Sequence, residues 1–137
     1  MNKSTLASSR EKALLFVGAA LEKKASDLVL LHVTEFTSIA DYFLICSGRS
    51  DRQVQSIAQG IQEAADDLGV ATISIEGVSR GHWILIDFGD IIVHIFYQPV
   101  REFYDLEGLW ADAPRVELPE PYSSLVNQFQ IVAEQHP

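Results

Sequence analysis

The feature that most limits how this chain can fold is the run of residues 82–97, in which two apolar segments flank the dipeptide Gly89-Asp90. Two residues that include a glycine, placed between apolar runs, are typical of a β-hairpin, and the glycine-first order favours a type II′ turn. The pattern therefore predicts two antiparallel strands, 82–88 and 91–97.

Side chains alternate between the two faces of a strand, so a pairing of Phe88 with Ile91 across the turn would divide this hairpin into two faces. One face is almost wholly apolar and is expected to lie on the core: His82, Ile84, Ile86, Phe88, Ile91, Val93, Ile95 and Tyr97. The other face mixes aromatic, aliphatic, acidic and imidazole groups: Trp83, Leu85, Asp87, Ile92, His94 and Phe96.

On the mixed face Asp87 lies diagonally opposite His94, about 7–8 Å away between backbones, so the two side chains could meet. A catalytic acid–base pair is disfavoured because no nucleophile stands near in the sequence. A metal site is weaker still, because His82 and His94 point to opposite faces. Two interpretations stay open: a hydrogen bond that braces the sheet, and an interaction surface anchored by Trp83.

The other elements follow from periodicity and from residues that cap helices. The pattern Ser-x-x-Glu/Gln, which favours a helix N-terminus, occurs at Ser8 and at Ser50, each time before an apolar stripe. A helix between the second and third strands indicates that these two strands are parallel. The predicted elements are helix 9–25, strands 28–33 and 42–46, helix 51–68, strand 71–76, the two hairpin strands and a short helix within 101–110.

This order, α-β-β-α-β-β-β-α, predicts an α/β fold with a single mixed sheet flanked by helices. The composition changes after Trp110, where Pro114, Pro119 and Pro121 stand among acidic residues. We therefore expect one domain over residues 1–110 and an acidic tail over 111–137, extended apart from a weak helix at 122–134.

The net charge of −9 limits the choice of partners. An acidic domain repels phosphate backbones, so we expect little direct binding of nucleic acid, whereas a basic protein would be attracted. The charge could equally serve solubility alone.

No apolar run is long enough to cross a membrane, the N-terminus lacks the order of a signal peptide, and the single cysteine, Cys46, is expected to be buried, so a cytoplasmic protein is predicted.

The turn from Cys46 to Ser50, placed between a strand and a helix, is a weak candidate for binding a phosphate. Asp51 puts a negative charge beside it. Nucleotidyltransferases combine a similar turn with two strand carboxylates, two residues apart, that hold divalent cations. No predicted strand here has that spacing. A nucleotide-binding transferase that uses the turn Gly48–Ser50 is therefore only the alternative function, and we expect no cofactor or metal.

Taken together, these segments resemble the ribosomal silencing factors, also called Iojap-like proteins. The resemblance covers about residues 13–110, and its most specific part is the block Trp83-Ile-Leu-Ile-Asp-Phe-Gly-Asp-Ile-Ile-Val-His94. The other matching segments are 27–33, 38–43, 47–54, 76–77 and 101–110.

The resemblance implies a nucleotidyltransferase-like fold without the catalytic carboxylates, and hence a protein that is not an enzyme. Members of the family bind the large ribosomal subunit through ribosomal protein L14, block its association with the small subunit and repress translation under nutrient limitation. Free members are often homodimers. The family's partner-binding tryptophan corresponds to Trp83, and Leu85, Asp87, Phe88 and Asp90 are further candidates by position.

Overall fold

The computed structural model describes residues 8–130, and its elements follow the predicted order with one addition: two short helices, the first beginning already at Gln98, replace the single helix predicted within 101–110. The first half comprises α1 (Ser9–Glu22), β1 (Ser26–His32), β2 (Tyr42–Gly48) and α2 (Asp51–Leu68). The second half comprises β3 (Ser74–Glu76), β4 (Trp83–Asp87), β5 (Ile91–Tyr97), α3 (Gln98–Tyr104), α4 (Leu106–Leu109) and α5 (Tyr122–Gln128). No helix within residues 8–130 is long and apolar enough to span a membrane.

The five strands form one mixed sheet in the order β1-β2-β5-β4-β3. Only β2 and β5 are paired in parallel; the other three pairs are antiparallel. The predicted direction of the third strand is confirmed, since these pairings leave β3 pointing the same way as β2. The two strands are not neighbours, however, because α2 carries the chain across β5 and β4 to the far edge.

Helix α1 begins as predicted and ends earlier. Ser8 and Glu11 form the expected capping box, in which each side chain accepts a hydrogen bond from the other residue's backbone N–H. The helix stops at Glu22, three residues before the predicted end, because Lys24 adopts a left-handed conformation with φ of 63°. The N–H of Ala25 then bonds back to the carbonyl of Ala20, which closes the helix and turns the chain into β1.

Helix α2 has the predicted bounds, and Gly69 ends it in the left-handed conformation. Its second capping box is only half formed. The Ser50 hydroxyl accepts from the N–H of Gln53, but the Gln53 side chain accepts from Arg49 instead of from Ser50. At the end of β2, a Cβ on Gly48 would lie 2.9 Å from the Val54 side chain, so the lack of a side chain at Gly48 lets the helix approach the strand.

The two faces of the sheet carry separate apolar clusters, of which the hairpin pattern predicts only the one on its core face. The face under α1 and α2 holds the larger cluster, to which β4 and β5 contribute Ile84, Ile86, Ile91, Val93 and Ile95. The opposite face holds a smaller cluster around Phe43, Ile45, Ile92 and Phe96, with Trp83, Leu85, Leu106 and Trp110 packed against it. Strand β2 is buried at every position, as expected for a strand covered on both faces.

The hairpin has the predicted register. Phe88 donates its N–H to the carbonyl of Ile91, and Trp83 pairs with Phe96 at the far end. Gly89 has φ of 97°, whereas Asp90 is not among the residues with positive φ, which is the type II′ pattern. The predicted strand 71–76 is shorter than expected: its ladder with β4 begins at Ser74, and Ile73 at the sheet edge is 65% exposed.

The segment after Trp110 packs on the sheet instead of leaving it. His32 donates to the carbonyl of Pro114, and Val116 donates to that of Leu30, so this segment covers the outer edge of β1. Helix α5 then buries Val126 in the larger cluster. The predicted helix 122–134 is seen as Tyr122–Gln128, and the rest of its range, from residue 131, lies outside the described residues. The functional division at Trp110 stays a prediction.

Candidate docking surface

The mixed face of the sheet leaves an aromatic surface open at β4. The indole of Trp83, which is half-buried, lies between Phe96 of the neighbouring strand and Tyr104 of α3, with ring centroids at 4.8 and 5.0 Å. The ring of Phe103 packs against that of Tyr104 at 5.1 Å. Phe103 is 81% exposed and Tyr104 is 53% exposed. We call Trp83, Leu85, Asp87, Phe103 and Tyr104 the docking surface.

A hydrogen bond fixes the indole of Trp83. Its Nε1–H donates to Nδ1 of His94 at 3.2 Å, two residues before Phe96 on the same strand. Because Nδ1 accepts, the neutral imidazole carries its proton on Nε2. His94 is 6% exposed, and this burial lowers its pKa from 6.5 to about 4. The imidazole is therefore neutral at neutral pH and can accept this bond.

The possible contact between Asp87 and His94 does not form. Asp87 Oδ1 accepts a hydrogen bond from the N–H of Gly89 at 2.8 Å and braces the hairpin turn, while His94 is bonded to Trp83. The acid–base interpretation therefore lacks its pair. The prediction that His82 and His94 diverge is confirmed, since His82 packs on Tyr97 on the other side of the hairpin.

The five candidate residues are not brought together on one surface. Trp83, Leu85 and Asp87 share the mixed face. Phe88 lies on the opposite face, 6% exposed, with its ring 4.7 Å from that of Phe16. Asp90 lies in the turn, where its carboxylate is bound by residues of α1.

The carboxylate of Asp90 ties the hairpin turn to the start of α1. Lys12 Nζ lies 2.7 Å from its Oδ2, and the Ser9 hydroxyl donates to the same oxygen at 2.5 Å. Burial alone would raise the pKa of Asp90, but the hydrogen bonds from Lys12 and Ser9, together with the Lys12 charge, hold it below its usual value. Asp90 thus has a structural task in this fold.

Arg101 of α3 holds the aromatic part of the docking surface in place, and sequence reasoning did not single it out. It is 6% exposed; its Nε donates to Glu107 Oε1 at 2.9 Å, and its Nη1 donates to the buried hydroxyl of Ser47 at 2.8 Å. Burial alone would raise the pKa of Glu107, but Arg101, with the more distant Arg115, holds it below its usual value. These bonds join β2, α3 and α4, so that Tyr104 faces Trp83.

The border of the docking surface is acidic. On β3, Glu76 pairs with Leu85 and is exposed beside the half-buried Asp87. An apolar centre with carboxylates around it favours a partner that offers an apolar contact within a basic surface.

In the candidate phosphate-binding turn and at the start of α2, backbone N–H groups are bonded by the chain's own side chains. The backbone N–H of Arg49 donates to Gln53, that of Arg52 to Asp51, and that of Gln53 to Ser50. In residues 8–130, no three His, Cys, Asp or Glu side chains form a group that could hold a metal ion. Cys46 is buried as predicted, and burial raises the pKa of its thiol to about 12.

The sequence matches the family model described as "Ribosomal silencing factor during starvation" over residues 6–136. The ribosomal silencing factor RsfS of Bacillus subtilis is 43% identical over 110 residues, which cover 79% of this chain and 93% of that protein. The chain belongs to the ribosomal silencing factor family.

Two further relatives and one solved structure agree with membership of the ribosomal silencing factor family. RsfS of Halalkalibacterium halodurans is 44% identical, with 81% of this chain and 95% of that protein covered. The chloroplastic protein Iojap of Arabidopsis thaliana is 31% identical, with 73% of this chain and 42% of that protein covered. A crystal structure from Bacillus halodurans has a TM-score of 0.73 at 40% identity and covers 80% of this chain and 100% of that chain.

The backbone position of Trp83 on β4 depends on its close contact with Gly77. Gly77 has φ of 86°, and a Cβ there would overlap the Trp83 carbonyl oxygen. We expect Gly77→Ala to destabilise the protein by about 1–3 kcal/mol, because β4 must shift to admit a methyl group. Urea unfolding would measure this loss of stability. Gly89→Ala is the control: it has the same backbone strain from a positive φ, but its methyl group would meet only the flexible Ile73 side chain at 3.2 Å. It should therefore destabilise the protein less.

The lowered pKa of His94 makes stability depend on pH. The unfolded chain takes up this proton near pH 6.5 and the folded protein only near 4, so the unfolded state binds more protons between those values. We expect the free energy of unfolding to fall by on the order of 2–3 kcal/mol as the pH drops from 7 to 4. Urea titrations across this range check it, with His94→Leu as the control whose pH dependence lacks this contribution.

Proposed function

We propose that this protein silences ribosomes by binding the large ribosomal subunit through ribosomal protein L14. In this proposal the docking surface makes the contact, and the bound protein blocks association with the small subunit and so represses translation under nutrient limitation. The observation that carries the proposal is the half-buried Trp83, held between Phe96 and Tyr104, in a chain of this family.

The physical properties of the docking surface suit a protein partner. Tryptophan and tyrosine are frequent at the energetic centre of interfaces, because they bury a large area at a small cost in side-chain entropy. Trp83 is already immobilised by its hydrogen bond and ring contacts, so little further ordering is needed on binding. Leu85 extends the apolar area along the strand, with Asp87 beyond it at the border.

The charge of the chain supports a basic protein as the point of attachment. A net charge of −9 repels ribosomal RNA and attracts basic ribosomal proteins, so direct binding to nucleic acid contributes little. Rim pairs from Asp87 or Glu76 would add only about 0–1 kcal/mol each. Affinity then resides mainly in the aromatic centre, whereas the acidic border speeds association and makes it sensitive to salt.

Silencing by this route requires only that the protein stays bound to the large subunit, so in this proposal it acts without enzymatic activity, cofactor or metal. We propose that it works in the cytoplasm, where ribosomal subunits join.

We also propose that the free protein is a homodimer, which size-exclusion chromatography with light scattering would test on the protein alone.

The decisive experiment is cosedimentation of the full chain with purified large subunits, with small subunits as the control. We expect the protein to pellet with large subunits only, to bind isolated L14, and to lower the yield of joined ribosomes when it is added before the small subunit. Failure to pellet with large subunits would refute the function. Binding to large subunits but not to L14 would refute only the point of attachment.

A further inference from the structure

The imidazole of His94 lies in the smaller apolar cluster, where an aliphatic side chain would pack without any polar atom to satisfy. Its neighbours in the smaller cluster are Phe43, Ile45 and Phe96, with Leu85 opposite it on β4. Burying a polar ring among apolar groups costs free energy unless its polar atoms are bonded. Its Nδ1 bonds to the indole of Trp83, which lies at the exposed side of the cluster.

The ring contacts around His94 leave it little freedom. Phe43 approaches it edge-on at 5.5 Å, Phe96 stacks on it at 6.3 Å, and Trp83 lies at 6.1 Å. The acceptor atom therefore has a fixed position relative to the sheet. The half-buried indole has one N–H donor, and an acceptor at a fixed position favours the ring orientation in which that donor is bonded.

We propose that His94 is a positioning residue that holds the Trp83 indole in the orientation that binds the partner, and that it does not contact the partner itself. This inference rests on the proposed function. Without the Nδ1 acceptor, the indole gains alternative rotamers, and binding must then order it at a cost in side-chain entropy.

Two substitutions separate positioning from packing. His94→Leu keeps an apolar filling of the cluster and removes the acceptor, whereas His94→Asn places its amide oxygen near the former Nδ1 and loses the ring. We expect affinity for large subunits to fall about tenfold in His94→Leu and to recover in His94→Asn, although the asparagine variant is the less stable protein. Ile95→Ala, the next residue on β5 but on the other face, lowers stability without touching this bond and should bind like the wild type.

A measurement on the free protein keeps this inference separate from the proposed function. In the NMR spectrum, exchange of the Trp83 indole N–H with water should be slow in the wild type, faster in His94→Leu and slow again in His94→Asn. The chain has two tryptophans, so Trp110→Phe assigns the signal. Unchanged exchange in His94→Leu would overturn the positioning role whether or not the protein binds ribosomes.

Binding measurements on the same variants provide a second test of the positioning role. Wild-type affinity in His94→Leu would overturn the proposal, and so would equal weakness in the leucine and asparagine variants, because the ring and not the acceptor would then matter. If the wild type fails to bind large subunits while the indole exchange follows the expected order, the proposed function fails and the link between His94 and Trp83 stands.

Discussion

Trp83→Ala is expected to lower the affinity for large ribosomal subunits by roughly 30-fold or more, equivalent to at least about 2 kcal/mol. The substitution removes the indole that lies between Phe96 and Tyr104 and leaves a gap at the centre of the docking surface. Titration of labelled protein with large subunits would measure it. Retention of wild-type affinity would remove Trp83 from the proposed interface.

Loss of folding must be separated from loss of contact in this experiment, because Trp83→Ala also leaves Nδ1 of His94 without its donor. Thermal unfolding of each variant shows whether the sheet is intact at the assay temperature. Leu15→Ala serves as the matched control: Leu15 is an apolar residue, 44% exposed on α1, on the other side of the sheet. It should bind like the wild type.

Arg101→Ala is expected to destabilise the protein by about 2–4 kcal/mol, because it removes a buried guanidinium that bonds a buried hydroxyl and a partly buried carboxylate. The carboxylate of Glu107 and the hydroxyl of Ser47 would both lose the donor that now satisfies them. Urea unfolding at neutral pH measures the loss. Binding should weaken as well, since α3 carries Phe103 and Tyr104.

Arg115→Ala is the matched control, because Arg115 faces the same carboxylate. Its Nη2 lies 3.8 Å from Glu107 Oε2, and its side chain is 67% exposed. An exposed ion pair contributes about 0–1 kcal/mol, so this variant should be nearly as stable as the wild type. Equal, small losses in the two variants would contradict the structural role that we assign to Arg101.

Local pattern was enough to predict the starts of α1 and α2 and the hairpin. The capping residues Ser8 and Ser50 precede α1 and α2, and alternation assigned every residue of β4 and β5 to its observed face. These features depend on neighbours within a few residues, whose spacing is read directly from the chain. Helix α1 shows the limit, because a left-handed Lys24 ends it where the apolar pattern continues.

The contacts of the candidate residues could not be read in the same way. Asp87 and His94 lie on one face as predicted, but each bonds elsewhere: Asp87 to the turn and His94 to Trp83. Spacing shows which side chains can meet, whereas the choice among partners depends on burial and on which donors remain unsatisfied. The acidic segment after Trp110 likewise packs on β1 through backbone bonds that its composition does not reveal.

The sequence by itself determined the family, the order of the first seven elements and the division of the hairpin into a core face and a face with Trp83 on it. Only the tertiary structure decided that β5 lies between β2 and β4, that Tyr104 completes the aromatic surface, and that Arg101 holds it there. The physical reason is that strand order and the buried hydrogen bond from Arg101 to Ser47 join residues far apart in the chain, and the free energy of such contacts depends on the whole packed sheet.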